Sequence, residues 1–218
     1  MTTQLSIRST TRPTVLGDTV FVGFSDGFLV ALKKKEGTLS WERKIGRGNR
    51  FRDVDATPVA DGDSLYVASF DGALVSLKTA SGDVNWTIEQ GAYVPVTLGL
   101  GRLADRLYYS TAGGEILTID KRSGKTLKTF RVEHGIATQV SLYHGFLIYG
   151  ESEGALVVAD AETGVRAAKF ESGHGIMAPP VVIEDKNEVY AGSVGANLYA
   201  FRLGFRRFND RLPWQVGQ

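Results

Sequence analysis

Cysteine is absent from this 218-residue chain. That excludes disulfide frameworks, thiolate zinc centres and cysteine nucleophiles, and it leaves the redox compartment open, because such an absence suits oxidising and reducing settings alike. Histidine is nearly as scarce, with three residues. His134 and His174 stand in the similar words EHGI and GHGI, and His144 lies in a predicted turn, so they read as structural residues and no metal centre is expected. No apolar run approaches the roughly 20 residues of a membrane helix. Nor does one sign of charge prevail: Lys plus Arg number 25 against 24 Asp plus Glu, a net +1, without the basic surplus of a nucleic-acid binder. The run Lys33 to Lys35 and the C-terminal arginines therefore read as solvated faces. The opening MTTQLSIRST has no apolar signal core and no cysteine for lipidation, which predicts either a cytoplasmic chain or a longer precursor whose start is missing. A glycine-rich phosphate loop and a G-x-S-x-G elbow are also missing, so no catalytic constellation and no cofactor are expected.

Glycine is what the chain has in excess, 26 residues against an average of about 7%. Its placement is periodic. The stretch VFVGFSDGFLVALKKKEGTLSW is echoed by LYVASFDGALVSLKTASGDVNW, LYYSTAGGEILTIDKRSGKTLK, LIYGESEGALVVADAETGVRAA and VYAGSVGANLYAFRLGFRRF. Anchor glycines fall at Gly27, Gly72, Gly114, Gly154 and Gly195, steps of 45, 42, 40 and 41. A second glycine follows at Gly37, Gly82, Gly124, Gly164 and Gly204. Within each unit, alternating apolar and β-branched runs bounded by Gly, Asp, Asn and Ser predict four short strands, A to D. The glycines between B and C, and between C and D, sit where a hairpin needs a positive φ.

Four-stranded repeats of about 40 residues predict an all-β fold, a β-propeller in which blades stack face to face with strand A innermost. The expected single domain spans 1–218, with five repeats at about 11–46, 56–91, 93–135, 137–175 and 178–218. Five A–B–C sets are accompanied by six candidate D strands, including Gln4 to Arg8 and Leu212 to Val216. One terminal strand is surplus. Either the N-terminal strand 4–8 completes the last blade, because an unpaired edge invites aggregation, or Leu212 to Val216 closes it and the N-terminal strand joins a second copy as a homo-oligomer.

Trp41 and Trp86 close the first two repeats. Ala31, Gly37 and Trp41 form the pattern A-x5-G-x3-W, which resembles the tryptophan docking motif of the pyrroloquinoline-quinone (PQQ) propeller superfamily. There the indole stacks on the next blade, and Trp41 and Trp86 are accordingly expected to serve as structural docking residues. Lys128 and Ala168 stand at the corresponding places of repeats three and four. Quinoprotein enzymes of that superfamily hold quinone and calcium beside a vicinal disulfide, for which this chain has neither cysteine nor an evident acidic cluster.

The words LSIRSTTRPTVLGDTVFVG and RFRDVDATPVADGDSLYVASFDGALVSLKTASGDVNW are similar, in order and spacing, to the second half of the BamB family, lipoprotein propellers of the outer-membrane β-barrel assembly machinery. ESEGALVVADAETGVRAAKF resembles that family's closing blades. The resemblance implies a noncatalytic scaffold at the periplasmic face of the outer membrane, docked onto the POTRA domains of BamA. Carried over position by position, the partner-binding residues are Leu5, Ile7 and Arg8 in LSIR, and Asp53 and Asp55 in RDVDATP. Repeat geometry agrees: Arg8 and Asp53 each precede a proline, Pro13 and Pro58, by five, so they are equivalent residues of neighbouring D-to-A connections. Those loops share a rim with the B–C turns that carry Asp26 and Asp71. Two other readings stay open at this point, a quinoprotein enzyme and a solute-sensing propeller with a ligand in the channel lined by the A strands. The bland account of the rim is that Asp53 and Asp55 merely cap a loop and Arg8 pairs with one of them, an exposed ion pair that would add only about 0–1 kcal/mol.

Overall fold

The computed structural model describes residues 11–45, 54, 56–70 and 72–204. Within them the strands form five antiparallel meanders, each hydrogen-bonded in chain order. The first is β1 (Thr14–Leu16), β2 (Thr19–Gly23), β3 (Phe28–Lys33) and β4 (Leu39–Lys44). The second is β5 (Val59–Asp61), β6 (Ser64–Ala68), β7 (Leu74–Lys78) and β8 (Val84–Ile88). Next come β9 (Thr97–Leu98), β10 (Arg106–Ser110), β11 (Glu115–Asp120) and β12 (Thr126–Arg131), then β13 (Ser141–Tyr143), β14 (Phe146–Gly150), β15 (Ala155–Asp160) and β16 (Arg166–Glu171). The fifth has three strands among the described residues, β17 (Val181–Ile183), β18 (Glu188–Gly192) and β19 (Leu198–Arg202). No helix among the described residues is long and apolar enough to cross a membrane.

Strand period two explains how the blades stack. In β6, Leu65 and Val67 pack back on the first blade with Phe21, Leu29 and Leu77, while Tyr66 and Ala68 pack forward with Leu107, Tyr109 and Leu117 of the third. Both faces of the B and C strands in the second, third and fourth blades are thus largely buried, which is why these strands read as near-continuous apolar runs and not as polar alternation. Tyr108, Leu147, Tyr149 and Val157 form the third interface, and Ile148, Leu156, Ile176 and Val189 the fourth. The D strands β4, β12 and β16 are largely exposed, as outermost strands should be. Inner strands are tied blade to blade by hydroxyls: Thr14 donates to the Pro58 carbonyl, Thr97 to Val140 at 2.5 Å and Ser141 to Pro180 at 2.6 Å.

Every complete blade carries an irregularity that the repeat pattern does not announce. The C–D register slips between Ala31 and Leu32, Ser76 and Leu77, Thr118 and Ile119, and Val158 and Ala159. The bulge falls just before Trp41, Trp86, Lys128 and Ala168, and such a bulge re-aims the following side chain.

The turn glycines divide by job. Gly37, Gly82, Gly124 and Gly164 all have positive φ, as expected. Between B and C, however, only Gly27 and Gly114 do. Gly72 and Gly154 are needed for space: a Cβ on Gly72 would lie 2.2 Å from Ser69 Oγ, and one on Gly154 would lie 2.9 Å from His134 Cβ. In the fifth repeat the anchor is Ala196, not Gly195. The turn bond from Gly27 N to the Phe24 carbonyl (3.1 Å) recurs from Ala196 N to Ser193 (3.1 Å), and Ala196 takes φ 61°. Gly195 instead lies beneath the His174 ring. Gly204 is likewise out of step. The bonds Thr79 N to Asp63, Lys121 N to Asp105 and Leu203 N to Asn187 make Leu203 equivalent to Thr79, so Gly204 comes two positions before the place of Gly82.

Candidate docking face

The D–A connections and B–C turns emerge on one rim, and the described residues there pin the first two connections side by side. Val54 is fully buried and packs on Gly23, where a Cβ would come within 2.6 Å of Val54 Cγ1. Val54 N donates to the Phe24 carbonyl at 3.2 Å, and its own carbonyl accepts from Thr11 Oγ1 at 3.0 Å. Arg12 N donates to Thr57 Oγ1 at 3.3 Å. The same plug recurs at the fourth interface, where Ile176 fills the space that Gly150 leaves. Leu5, Ile7, Arg8, Asp53, Asp55 and the turn residue Asp71 lie outside the described residues. Asp26 is described: it is exposed and caps its own turn by accepting from Phe28 N at 3.2 Å.

On the same rim the structure brings together Phe70 and Tyr93, with ring centroids 6.4 Å apart. Phe70 is 46% exposed and Tyr93 37%, and partial burial pushes the Tyr93 hydroxyl above its ordinary pKa. A Cβ on Gly91 would meet the Phe70 carbonyl at 2.1 Å, so glycine lets the two loops touch. Sequence reasoning overlooked this pair. The signal was an aromatic in the FDG turn, where the other repeats have Ser25, Ala112, Ser152 and Val194.

A second overlooked group is acidic. Glu151, 1% exposed, occupies the place of Phe24, Ser69 and Thr111 in the other turns. Its carboxylate accepts from Glu133 N at 3.0 Å and from the Arg166 guanidinium at 3.2 Å. Arg166 also pairs with Glu133 and, by that hydrogen bond, holds the Glu133 carboxyl below the usual carboxylate range. A buried carboxylate with a guanidinium and a backbone donor is satisfied, and the arrangement tethers the connection between β12 and β13 to the fourth blade. No group of His, Asp and Glu among the described residues is arranged to hold a metal ion.

The tryptophans lie between blades. Trp41 Nε1 donates to the Thr79 carbonyl at 2.9 Å and Trp86 Nε1 to Lys121 at 3.0 Å. Their rings cover Gly82 and Gly124. At the third interface the two roles separate. Lys128 Nζ donates to the Glu162 carbonyl, while Phe130 supplies the ring over Gly164. Ala168 supplies neither at the fourth. Ion pairs also cross between blades, Lys121 with Asp61 and Arg102 with Glu162 at 3.3 Å.

Four-stranded meanders stacked face to face, with tryptophans locking the first two interfaces, define a PQQ-type β-propeller. A family model described as outer membrane protein assembly factor BamB matches residues 1–130. The chain belongs to that family. BamB of Yersinia pestis is 28% identical over 208 residues, covering 92% of this chain and 51% of the relative. The crystal structure of BamB from Moraxella catarrhalis superposes with a TM-score of 0.74 at 22% identity, over 90% of this chain and 60% of that one. A quinoprotein alcohol dehydrogenase of Pseudomonas putida, PedE, is 30% identical over 96 residues, 44% of this chain but 15% of the enzyme. This chain spans about half the length of the curated BamB relatives it matches.

Proposed function

We propose that the chain is one propeller domain acting as a noncatalytic scaffold in outer-membrane protein assembly. It works at the periplasmic face of the outer membrane and docks through the rim of its first two blades onto the POTRA domains of a BamA-like partner. The observation that carries this reading is the latch of Thr11 on the Val54 carbonyl. It draws together the described ends of the two segments that carry Arg8 and Asp53, the residues that family resemblance marks for binding. Loops held on a rigid scaffold are where binding residues concentrate, and Gly23, Val54 and Thr57 make this scaffold rigid. Membership of the BamB family supports the assembly role. The stretch shared with PedE spans about two blades, which accounts for that likeness through the common repeat. Titrating the full chain with the periplasmic part of BamA from the same organism tests the proposal. Saturable binding at physiological salt is expected, and its absence overturns the reading.

A further inference from the structure

The C–D turn glycines Gly37, Gly82, Gly124 and Gly164 all take a left-handed φ. Three of them lie under a ring of the preceding blade. A Cβ on Gly82 would stand 2.6 Å from Trp41 Cε3 and one on Gly124 2.5 Å from Trp86 Cδ2, and Gly164 lies under Phe130. Gly37 is exposed, and a Cβ there would meet no atom of the described residues within 4 Å. The first blade has the floor of a ring site and no ring on it.

The rest of that site is present, matched position by position to the two that hold indoles. Val20 pairs with Leu32 as Leu65 pairs with Leu77 and Leu107 with Ile119. Leu65 and Leu77 are fully buried in the cluster that receives Trp41, and Leu107 and Ile119 in the one that receives Trp86, whereas Val20 and Leu32 are only half-buried. Lys34 answers to Thr79 and Lys121, whose carbonyls accept the two indole N–H groups. Its turn is closed by bonds from Lys33 N to Thr38, Lys34 N to Asp18 and Gly37 N to Lys33, the counterparts of Lys78 N to Asp83, Thr79 N to Asp63 and Gly82 N to Lys78. The same closure around the same left-handed glycine sets the Lys34 carbonyl in the place of the Thr79 carbonyl, and among the described residues it accepts no hydrogen bond.

Charge separates this site from its filled counterpart. At the second blade the incoming strand brings Arg43, whose guanidinium donates to the Gly82 carbonyl at 2.8 Å and pairs with Asp83 at 3.5 Å. At the first blade Thr38 stands where Asp83 stands. Before it come Lys33, held by Glu36 at 3.4 Å, and the exposed Lys34 and Lys35, which pair with no carboxylate among the described residues. The turn therefore suits an acidic strand and not a basic one.

We propose that the open face of the first blade docks a tryptophan carried on an extended, acidic segment of a partner protein. The indole lies flat on Gly37 against Val20 and Leu32, with its N–H on the Lys34 carbonyl and carboxylates beside Lys34 and Lys35. An exposed indole site with a preformed acceptor is the kind of place where one aromatic anchor carries most of the binding energy. The C–D turns lie on the rim opposite the D–A connections, so this inference is independent of docking to BamA.

The probe is the end-blocked peptide SGDVNWTIEQ, residues 81–90 of this chain, which carries a tryptophan between Asp83 and Glu89. Titrated into the isotope-labelled full chain, it is expected to shift the NMR amide signals of Val20, Leu32 and Gly37 saturably. The same peptide with Trp86→Ala is expected to bind at least tenfold more weakly. In the protein, Gly37→Asn keeps a residue that tolerates the left-handed region while placing a Cβ under the ring, and a loss of at least tenfold is expected. Lys34→Glu combined with Lys35→Glu changes only exposed side chains and should weaken binding about fivefold, so it decides if Gly37→Asn does not fold. The proposal is overturned if the parent shows no saturable shifts at these amides, or if either variant melts like the parent and also binds like it. Self-association of the parent that Trp214→Ala abolishes would overturn it as well, because the chain's own third tryptophan would then be the occupant.

Discussion

The indole of Trp41 lies directly on Gly82 of the next blade: a Cβ there would stand 2.6 Å from the ring carbon Cε3, and the glycine's φ is +71°. The two residues make a single lock, because the ring can lie flat only on a residue without a side chain. Trp86 on Gly124 repeats it. Gly82→Ala meets both the clash and the left-handed backbone, and it is expected to cost about 2 kcal/mol. Urea unfolding measures this, and a midpoint equal to the parent's would contradict the lock.

Removing the rings separates the interfaces. Trp86→Ala loses a half-buried indole and its hydrogen bond to Lys121, at an expected cost of about 3 kcal/mol. Lys128→Ala loses only an exposed donor at the next interface, under about 1 kcal/mol. Equal losses would mean that Phe130 does not carry the third interface.

Much of this was legible in the sequence. Spaced glycines and the two tryptophans announce the blades, because turns need particular φ values and indoles need glycine beneath them. Other features were not. Ala196 stands in for an anchor glycine, and only its backbone bond to Ser193 reveals it. Lys128 and Phe130 share the work of one tryptophan, and the residue-by-residue comparison of repeats saw only a substitution. Phe70 and Tyr93 come from different repeats and meet through Gly91, a juxtaposition that periodicity does not encode. The proposed docking residues Leu5, Ile7, Arg8, Asp53 and Asp55 come from resemblance to a family, and spacing adds only that Arg8 and Asp53 are repeat equivalents.

The buried Glu151 should be costly to orphan. Arg166→Leu leaves its carboxylate with the Glu133 amide and no counter-charge, and breaking such a pair typically costs about 3–5 kcal/mol. Arg166→Lys should recover part of the loss. A melting temperature unmoved by Arg166→Leu would contradict the tether.

Acid should act on the turn capped by Asp120. Hydrogen bonds from the Ser123 hydroxyl (2.5 Å) and amide (2.7 Å) hold its carboxyl below the usual carboxylate range. Because the folded pKa is depressed, the stabilisation is present above the unfolded pKa of about 3.9 and is lost as pH falls through the folded value. Ser123→Ala should raise the Asp120 pKa towards its ordinary value in an NMR titration. An unchanged titration would place the cause elsewhere.

If the rim is the docking face, Phe70 belongs to its apolar part. Its ring is 46% exposed, so Phe70→Ser should leave the melting temperature nearly unmoved while weakening binding to the periplasmic part of BamA by tenfold or more, as loss of an aromatic anchor does. Undiminished binding would confine the face to the two connections that carry Arg8 and Asp53.

The central claim meets its most direct test in Arg8→Ala combined with Asp53→Ala. Titrated at physiological salt against the periplasmic part of BamA from the same organism, this double variant is expected to bind at least tenfold more weakly than the parent, with a nearly unchanged melting temperature. Parental affinity would contradict the assignment, and parental affinity together with early unfolding would leave Arg8 and Asp53 as a structural ion pair.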